Sequence, residues 1–367
     1  MKVCHLTSVH PHTDTRIFIK ECQSLAKVGY EVHLVAPGAP DSFVDGVNIH
    51  GVKKETGSRL KRMTKTVNRV YEKGLEIDAD VYHFHDPELI PVGLKLKKRG
   101  KKVIYDVHED VPRQILSKHW LPSILRKPIS FIFEKYENYA AKKFDAIITA
   151  TPFINNRFKS LGCNAVNVNN YPIIDELYTP TTDWSKKKRA VCYVGGIAKI
   201  RGINEMVESI DKTDAVLLLG GAFSNPTDKE NVQKKKGWSK VKELGFLNRT
   251  QISEVFQQAM AGLVVLHPTI NYIDALPVKM FEYMAAGLPV IASNFPLWRD
   301  IIEGNKCGIC VDPLNINEIS QAVQWIIDNP DEAKEMGQRG RKAVEEKFNW
   351  ENESKKLIGV YQELLIE

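Results

Sequence analysis

The chain has 367 residues, of which 43% are apolar, and a formal net charge of +6 at pH 7. This length exceeds what one ordinary core supports, so we expect two domains of roughly 150 to 200 residues each. The apolar runs fall far short of the roughly 20 residues that a membrane-spanning helix needs, and the N-terminus leads directly into a strand pattern instead of a signal segment. We therefore expect a soluble, cytoplasmic protein.

The positive charge is concentrated in the first half. Residues 1–160 contain 27 Lys and Arg against 18 Asp and Glu, whereas the remainder contains 24 against 27. The segment from Arg113 to Lys143 mixes basic residues with large apolar ones, namely Trp120, Leu121, Ile124, Leu125, Ile129, Phe131, Ile132 and Phe133. The favoured interpretation is that the apolar residues pack on a sheet and the basic ones face water. The alternative is a surface for anionic lipid or another polyanion.

The six cysteines are scattered, which fits a reducing compartment. The one close pair, Cys307 and Cys310, has no second pair to complete a zinc site. We predict structural roles for both.

Strand and helix patterns alternate along the whole chain. The first half has the strand patterns KVCHLTSV, YEVHLVAP, ADVYHFHD, KKVIYDVHE and FDAIITAT, with helical segments between them. The second half has RAVCYVGG, DAVLLLGG, SKVKELGF, AGLVVLHP, LPVIAS and CGICVD, alternating with helices such as NEMVESI, TQISEVFQQA and VKMFEYMAAG. Short apolar strands separated by helices predict parallel sheets covered on both faces, the doubly wound arrangement.

A segment rich in Pro, Thr, Asn and charge separates the halves. We predict a linker at 169–190 between an N-terminal domain, 1–168, and a C-terminal domain, 191–349. Ligands of such sheets bind outside the carboxyl ends of the strands. Neither half has the G-x-G-x-x-G fingerprint or the phosphate-binding P-loop, so both common nucleotide motifs are missing.

The stretch LPVKMFEYMAAGLPVIAS contains the most informative helix start. Pro277 suits a first helical turn, and Leu276 before it cannot cap the free amides. Uncapped amides with Lys279 in the first turn form an anion site, and Glu282, one turn later, can accept hydrogen bonds from a ribose diol. The plainer alternative is a Lys–Glu pair on a solvated surface. The apolar surroundings, and the cations of GGIAKIRG after an earlier strand, argue against it.

These residues resemble the retaining GT-B glycosyltransferases of glycosyltransferase family 4 over nearly the whole chain. The most specific element is an acidic pair separated by seven residues, matched by Asp274 and Glu282, although the family usually has glutamate at the first position. The resemblance implies that Glu282 binds the nucleotide ribose and that Asp274 faces the transferred sugar. Arg201 matches a basic residue at the donor diphosphate; Gly196 stands where an earlier arginine is usual, with Lys279 supplying the missing charge.

In the first half, YDVHED is similar to the family's strand end with an active-site histidine, which maps to His108. Asp14 and Arg16 stand at the place of the family's glycine-containing loop, on the acceptor side. For His83 and His85 we prefer structural roles. The segment 350–367 resembles a final helix that packs back on the first domain.

The resemblance thus implies a GT-B α/β fold of two Rossmann-like domains facing across a cleft. It further implies a metal-independent, cofactor-free, retaining transfer from a UDP- or GDP-sugar to a glycan or lipid-linked acceptor in cell-surface polysaccharide synthesis, with no nucleic-acid partner. Attachment to the inner face of the plasma membrane would follow from the lipid interpretation. The alternatives are a GT-B sugar-nucleotide epimerase and a non-catalytic nucleotide-binding protein. The predicted donor-binding residues are Gly195, Gly196, Lys199, Arg201, Phe246, Leu247, Leu276, Lys279 and Glu282.

Overall fold

The computed structural model describes residues 1–55, 57, 61–118, 121–178 and 183–366. The chain forms two compact units, one of Met1–Asn170 with Asn352–Glu367 and one of Tyr171–Glu351. Most of the predicted linker, from Tyr171 onward, is thus counted with the second unit; its residues 179–182 lie outside the described part. None of the helices in the described part combines the length and hydropathy that a membrane span requires.

The first unit contains one eight-stranded sheet with helices. Its strands are β1 (Lys2–Leu6), β2 (Glu31–Pro37), β3 (Ser42–Val44), β4 (Val47–Val52), β5 (Val81–Phe84), β6 (Lys102–Val107), β7 (Ala146–Thr149) and β8 (Ala165–Asn167). Its helices are α1 (a π-helical Thr15–Cys22 continued by Gln23–Lys27), α2 (a π-helical Arg62–Thr66 continued by Val67–Ile77), α3 (a 3-10 turn Pro87–Leu89 continued by Ile90–Lys98), α4 (Val111–Ser117), α5 (Ser123–Ala141) and α6 (Pro152–Ser160).

The strand order in this sheet is β3-β4-β2-β1-β5-β6-β7-β8, and only the β3–β4 pair is antiparallel. Central strands such as β5 are buried along their whole length, as expected when helices cover both faces. The predicted parallel sheet is therefore confirmed. The order reverses between β1 and β5, which makes their carboxyl ends a topological switch point. Strands β3, β4 and β8 were not predicted: β3 and β8 have only three residues each, and β4 has few consecutive apolar residues.

The second unit contains a six-stranded parallel sheet in the order β11-β10-β9-β12-β13-β14. Its strands are β9 (Ala190–Val194), β10 (Val216–Gly220), β11 (Val241–Gly245), β12 (Ala261–Val264), β13 (Val290–Ser293) and β14 (Gly308–Val311). Its helices are α7 (Ile203–Asp211), α8 (Pro226–Gln233), α9 (Arg249–Gln258), α10 (Val278–Ala285), α11 (Pro296–Ile302), α12 (Ile316–Asp328) and α13 (Pro330–Glu346), with 3-10 turns at Trp184–Lys186, Lys199–Arg201 and Lys236–Lys240. The final helix, α14 (Trp350–Ile366), begins in this unit and continues into the first, where the Tyr361 side chain is buried.

Helix α5 has an unusual pattern of burial. Its buried residues are Ser130, Glu137, Ala140 and Ala141, all small or polar. Its large apolar residues include several that are strongly exposed, namely Ile124 (82%), Phe131 (61%), Ile132 (67%) and Tyr139 (60%). The interpretation that the apolar residues of this segment pack on the sheet is therefore wrong for Ile124, Phe131 and Ile132. Trp120, predicted in the same group, lies outside the described residues.

Candidate functional site

In the second unit, predicted donor-binding residues meet at the switch point of the sheet. The strand order reverses between β9 and β12, so the loops after these two strands leave the same edge in opposite directions. Gly195 and Gly196 follow β9 directly. Lys279 and Glu282 lie on α10, the helix after β12.

The amine of Lys279 is buried and has no hydrogen-bond partner among the described residues. It lies 3.8 Å from the ring centroid of Tyr193, a cation–π contact. Gly195 has a φ of 136°, and a Cβ there would lie 2.9 Å from Lys279 Nζ. Burial, followed by the nearby charge of Arg201, lowers the pKa of Lys279 to about 7. A buried amine whose N–H donors lack hydrogen-bond partners among the described residues is suited to bind an anion.

Arg201 provides a second cation next to this amine. Its Nη1 donates to the carbonyl of Gly196 at 3.0 Å, and a Cβ at Gly196 would lie 2.6 Å from the same nitrogen. The Tyr193 hydroxyl donates to the same carbonyl at 2.7 Å. Glycine at position 196 therefore leaves room for the guanidinium of Arg201, at the position where the family usually has an arginine.

Helix α10 begins one residue later than predicted, because Pro277 is its N-cap. No side chain caps the helix. This agrees with the prediction, although the prediction took Leu276 as the capping position. Met280 N–H donates to the Pro277 carbonyl at 3.0 Å, so the amides of Val278 and Lys279 are the ones at the start of the helix that can meet a ligand.

Glu282 is not free, because Arg249 at the start of α9 donates to its Oε1 at 2.8 Å. The other two nitrogens of this guanidinium bind both carboxylate oxygens of Glu176, at 2.6 and 2.5 Å. Arg249 and Glu176 were not predicted. The Asn-Arg-Thr motif marks the start of α9 in the sequence, but nothing local indicates that Arg249 contacts Glu282, 33 residues away.

The remaining predicted residues of this unit differ in their surroundings. Phe246 is 86% exposed after β11, whereas Leu247 and Leu276 pack against the core. Lys199 is exposed. Asp274 is half-buried in the loop before α10, and its carboxylate has no hydrogen bond or ion pair with a described residue.

In the first unit, His108 lies beyond the end of β6 and is held by Asp106. His108 Nε2 lies 2.6 Å from Asp106 Oδ2, and the imidazole is 17% exposed. Asp106 is fully buried and accepts two hydrogen bonds from Arg16, at 3.1 and 2.9 Å. Although burial alone raises the pKa of Asp106, the charges of Arg16 and His108 hold it well below its ordinary value. Asp106 is therefore a carboxylate, which accepts hydrogen bonds only.

The predicted acceptor-side residues Asp14 and Arg16 both form hydrogen bonds to other groups of the first unit. Asp14 caps α1 by accepting from the backbone N–H groups of Arg16 and Ile17. The buried guanidinium of Arg16 binds Asp106, the carbonyl of Val168 at 3.0 Å and the carboxylate of Glu21 at 3.0 Å. Arg16 is thus placed to hold Asp106, and its guanidinium is not exposed for an acceptor.

His83 and His85 are both buried, in line with the structural roles preferred above. His85 nevertheless lies next to the predicted active-site histidine, since its Nδ1 is 3.1 Å from Asp106 Oδ2 and 3.2 Å from His108 Nε2. Asp106 was not predicted as a site residue. Asp106 and His108 are two residues apart at a strand end and therefore share one face, and this spacing could have indicated their contact.

Known protein families match the two compact units separately. Residues 16–169 match the family Glycosyltransferase Family 4, and residues 176–343 match the family Glycosyl transferases group 1. Among curated relatives, the chain is 26% identical over 180 residues to an uncharacterized glycosyltransferase of Methanocaldococcus jannaschii, covering 48% of this chain and 45% of that protein. It is 19% identical to the MMP alpha-(1->4)-mannosyltransferase of Mycolicibacterium hassiacum, covering 78% of this chain and 71% of the relative.

Solved structures show the same fold. Sucrose-phosphate synthase of Thermosynechococcus elongatus has a TM-score of 0.81 at 17% identity, covering 100% of this chain and 99% of that one. HepE of Anabaena in complex with UDP has a TM-score of 0.74 at 12% identity, covering 99% and 100%. Fold and family matches together define a glycosyltransferase of the GT-B class. The chain belongs to the glycosyltransferases described by these two families.

Proposed function

We propose that this glycosyltransferase transfers a sugar from a UDP- or GDP-sugar, without a metal ion, to a glycan or lipid-linked acceptor in cell-surface polysaccharide synthesis. The observation that carries the proposal is the buried amine of Lys279, which has no hydrogen-bond partner in the described part of the chain and lies beside Arg201 at the switch point of the second unit. Such an arrangement matches a diphosphate, which carries several negative charges and many acceptor oxygens.

The chemistry of the leaving group follows from these contacts. When the bond between sugar and diphosphate breaks, negative charge develops on the phosphate oxygens. Lys279, Arg201 and the backbone amides of Val278 and Lys279 at the start of α10 can stabilise that charge in place of a divalent cation. HepE, a structural neighbour, has been solved in complex with UDP and with UDP-glucose, which supports a nucleoside-diphosphate sugar as donor.

Glu282 remains the proposed ligand of the ribose hydroxyls, now with Arg249 on one of its oxygens. His108, held by Asp106, is proposed to accept a hydrogen bond from a substrate hydroxyl through its other ring nitrogen. We extend the proposal to retention of the anomeric configuration, which the family resemblance implies.

The test uses purified protein with UDP- and GDP-sugars and a panel of glycan and lipid-linked acceptors. We expect release of nucleoside diphosphate that depends on acceptor, continues in EDTA and gives a product with the donor's anomeric configuration by NMR. Lys279→Met should lower turnover by about 10²- to 10³-fold, as loss of one transition-state contact does. Lys234→Met, an exposed lysine after α8, is the matched control. Loss of turnover in EDTA that Mg²⁺ restores would contradict the metal-independent mechanism.

The exposed face of α5 supports a membrane surface as the site of the acceptor. Large apolar side chains are exposed beside exposed cations, which are Lys127, Lys135, Lys142 and Lys143. The acidic residues of this helix do not offset them, since Glu137 is buried and Glu134 is paired with Arg113. Apolar side chains enter the headgroup boundary while lysines meet anionic lipid, so we propose peripheral attachment through this face.

A further inference from the structure

Behind His108, a continuous chain of hydrogen bonds crosses the interior of the first unit. Asp106 Oδ2 lies 3.1 Å from His85 Nδ1, and His85 Nε2 lies 3.0 Å from His5 Nδ1. His5 Nε2 lies 3.3 Å from the Tyr361 hydroxyl, which in turn lies 2.8 Å from His83 Nδ1. These five side chains, called the histidine chain below, are all buried.

Four different elements, β1, β5, β6 and α14, contribute to the histidine chain. His5 on β1 pairs in register with His83 on β5, and His85, directly after the end of β5, lies two residues beyond His83 and therefore on the same side. Tyr361 reaches them from α14, 356 residues after His5. Sequence-local contacts therefore cannot assemble it.

The direction of donation in the histidine chain follows from two properties: Asp106 is ionised, and the three imidazoles are neutral. Asp106 is a carboxylate and cannot donate, so His85 must donate from Nδ1. Burial holds the pKa of His5, His83 and His85 below the ordinary value, so each imidazole is neutral and has one N–H. His85 Nε2 must then accept from His5 Nδ1.

The remaining two bonds follow by the same reasoning. His5, having used its proton, accepts at Nε2 from the Tyr361 hydroxyl, and the Tyr361 oxygen accepts from His83 Nδ1. This assignment satisfies every contact of the histidine chain at once. It leaves His83 Nε2 without a proton, and that nitrogen indeed lacks a partner among the described residues.

From this geometry we infer that Tyr361, His5 and His85 are positioning residues that act on His108 through Asp106. The donation from His85 orients the Asp106 carboxylate, whose Oδ2 then accepts from His108 Nε2. Neutral His108 therefore carries its proton on Nε2 and keeps Nδ1 as an acceptor for a substrate hydroxyl. This role in catalysis rests on the proposed function, whereas the tautomers do not.

Loss of the Tyr361 hydroxyl removes two contacts of the histidine chain. His5 Nε2 loses its donor and His83 Nδ1 loses its acceptor, whereas the Asp106 carboxylate still requires donation from His85 Nδ1. The rings of His5 and His85 are then held by fewer hydrogen bonds, so the orientations of Asp106 and His108 are less well defined.

The same histidines, with Glu21, also have ligand atoms close enough together to hold a metal ion. A bound metal would take ring nitrogens that the histidine chain uses. The two arrangements are therefore distinguishable, and metal content serves as one arm of the test.

The first experiment needs no variant. In ¹⁵N-labelled wild-type protein at neutral pH, long-range ¹H–¹⁵N spectra should show His5, His83 and His85 protonated on Nδ1, and His108 protonated on Nε2 when neutral. An Nε2–H tautomer at His5 or His85, or stoichiometric metal by elemental analysis, would overturn the inference. Both outcomes are independent of whether the transferase assay succeeds.

The second experiment compares Tyr361→Phe with Tyr30→Phe, whose ring lies 5.8 Å from that of Tyr361 but outside the histidine chain. Tyr361→Phe should change the ring signals of His5, His85 and His108 and lower kcat by roughly tenfold, the value of one hydrogen bond. Tyr30→Phe should leave both unchanged. Unaltered histidine signals in folded Tyr361→Phe would show that the hydroxyl does not position these rings.

Discussion

Lys279 combines a cost to folding with a proposed use in binding. Its pKa falls from 10.5 in the unfolded chain to about 7 in the folded protein because the amine is buried. Each pKa unit corresponds to about 1.4 kcal/mol, so keeping the folded amine protonated costs on the order of a few kcal/mol. Such a cost is common where a site is arranged for a ligand that is not yet bound.

We predict that Lys279→Met stabilises the ligand-free protein while it weakens binding of UDP or GDP. The folded protein binds fewer protons than the unfolded chain between pH 7 and 10.5, so the cost is fully present below pH 7 and disappears as pH rises toward 10.5. The gain in Tm should therefore be larger at about pH 7 than at about pH 9.5. Thermal scans at both pH values, with Lys234→Met for comparison, test this; a gain that does not depend on pH would show that the amine is not the cause.

Glu282 supports a prediction about the ribose. The substitution Glu282→Ala removes the carboxylate that is proposed to accept hydrogen bonds from the two ribose hydroxyls. Nucleotide affinity should therefore fall by roughly 1 to 3 kcal/mol. Calorimetric titration with the 2′,3′-dideoxy nucleotide separates this role from a structural one. The dideoxy compound should bind wild type more weakly than the natural nucleotide, and both should bind Glu282→Ala alike. Equal loss for both compounds would point to disruption of the Arg249 pair instead.

At the scale of elements, two helices show what local sequence leaves open. Helix α1 begins as a π-helix, whose hydrogen bonds run from residue i to i+5. That winding brings Arg16 and Glu21 to one side, where Arg16 Nε and Glu21 Oε1 lie 3.0 Å apart. In an α-helix, residues five apart point to different sides, so the sequence suggested no such pair.

Helix α5 provides the membrane prediction. In co-sedimentation assays, wild type should pellet with vesicles that contain anionic lipid, and added salt should release it. Replacing Phe131 and Ile132 by serine should reduce binding, because these side chains are 61% and 67% exposed and their burial in the bilayer contributes to attachment. Phe43→Ser is the matched control, since Phe43 is 69% exposed on β3 of the same unit. Binding to neutral and anionic vesicles alike, or none at low salt, contradicts the proposed surface.

For the whole molecule, we predict that acid affects the two units unequally. His5 and His83 of the first unit have pKa values well below the ordinary 6.5, chiefly because of burial. Below about pH 6.5 the unfolded chain binds protons that the folded unit does not, so stability falls as pH falls. The second unit has no such buried histidine cluster among its described residues.

Five of the six tryptophans belong to the second unit by position, so their fluorescence follows that unit, whereas far-ultraviolet circular dichroism follows both. Between about pH 7.5 and 5, the circular dichroism transition should move to lower temperature before the fluorescence transition does. His83→Gln, which cannot titrate, should show a smaller shift. Two transitions that move together would mean that the histidines do not control acid stability.

The sequence alone determined the class of fold and predicted the position of one anion site. Alternating apolar strands and helices lead to parallel sheets because only helices on both faces can cover strands that are apolar throughout. A helix start without a capping residue, followed by Lys279, indicated an anion site because amide orphans and helix dipoles are local properties.

Only the tertiary structure decided which side chains meet. The pairs Arg249–Glu282, Arg16–Asp106 and Tyr361–His5 join residues 33, 90 and 356 positions apart. Their formation depends on sheet order, helix winding and packing, none of which is a property of a short stretch of chain. For the same reason, the exposed apolar face of α5 could not be told from a buried one, since periodicity reports which residues share a face but not what that face contacts.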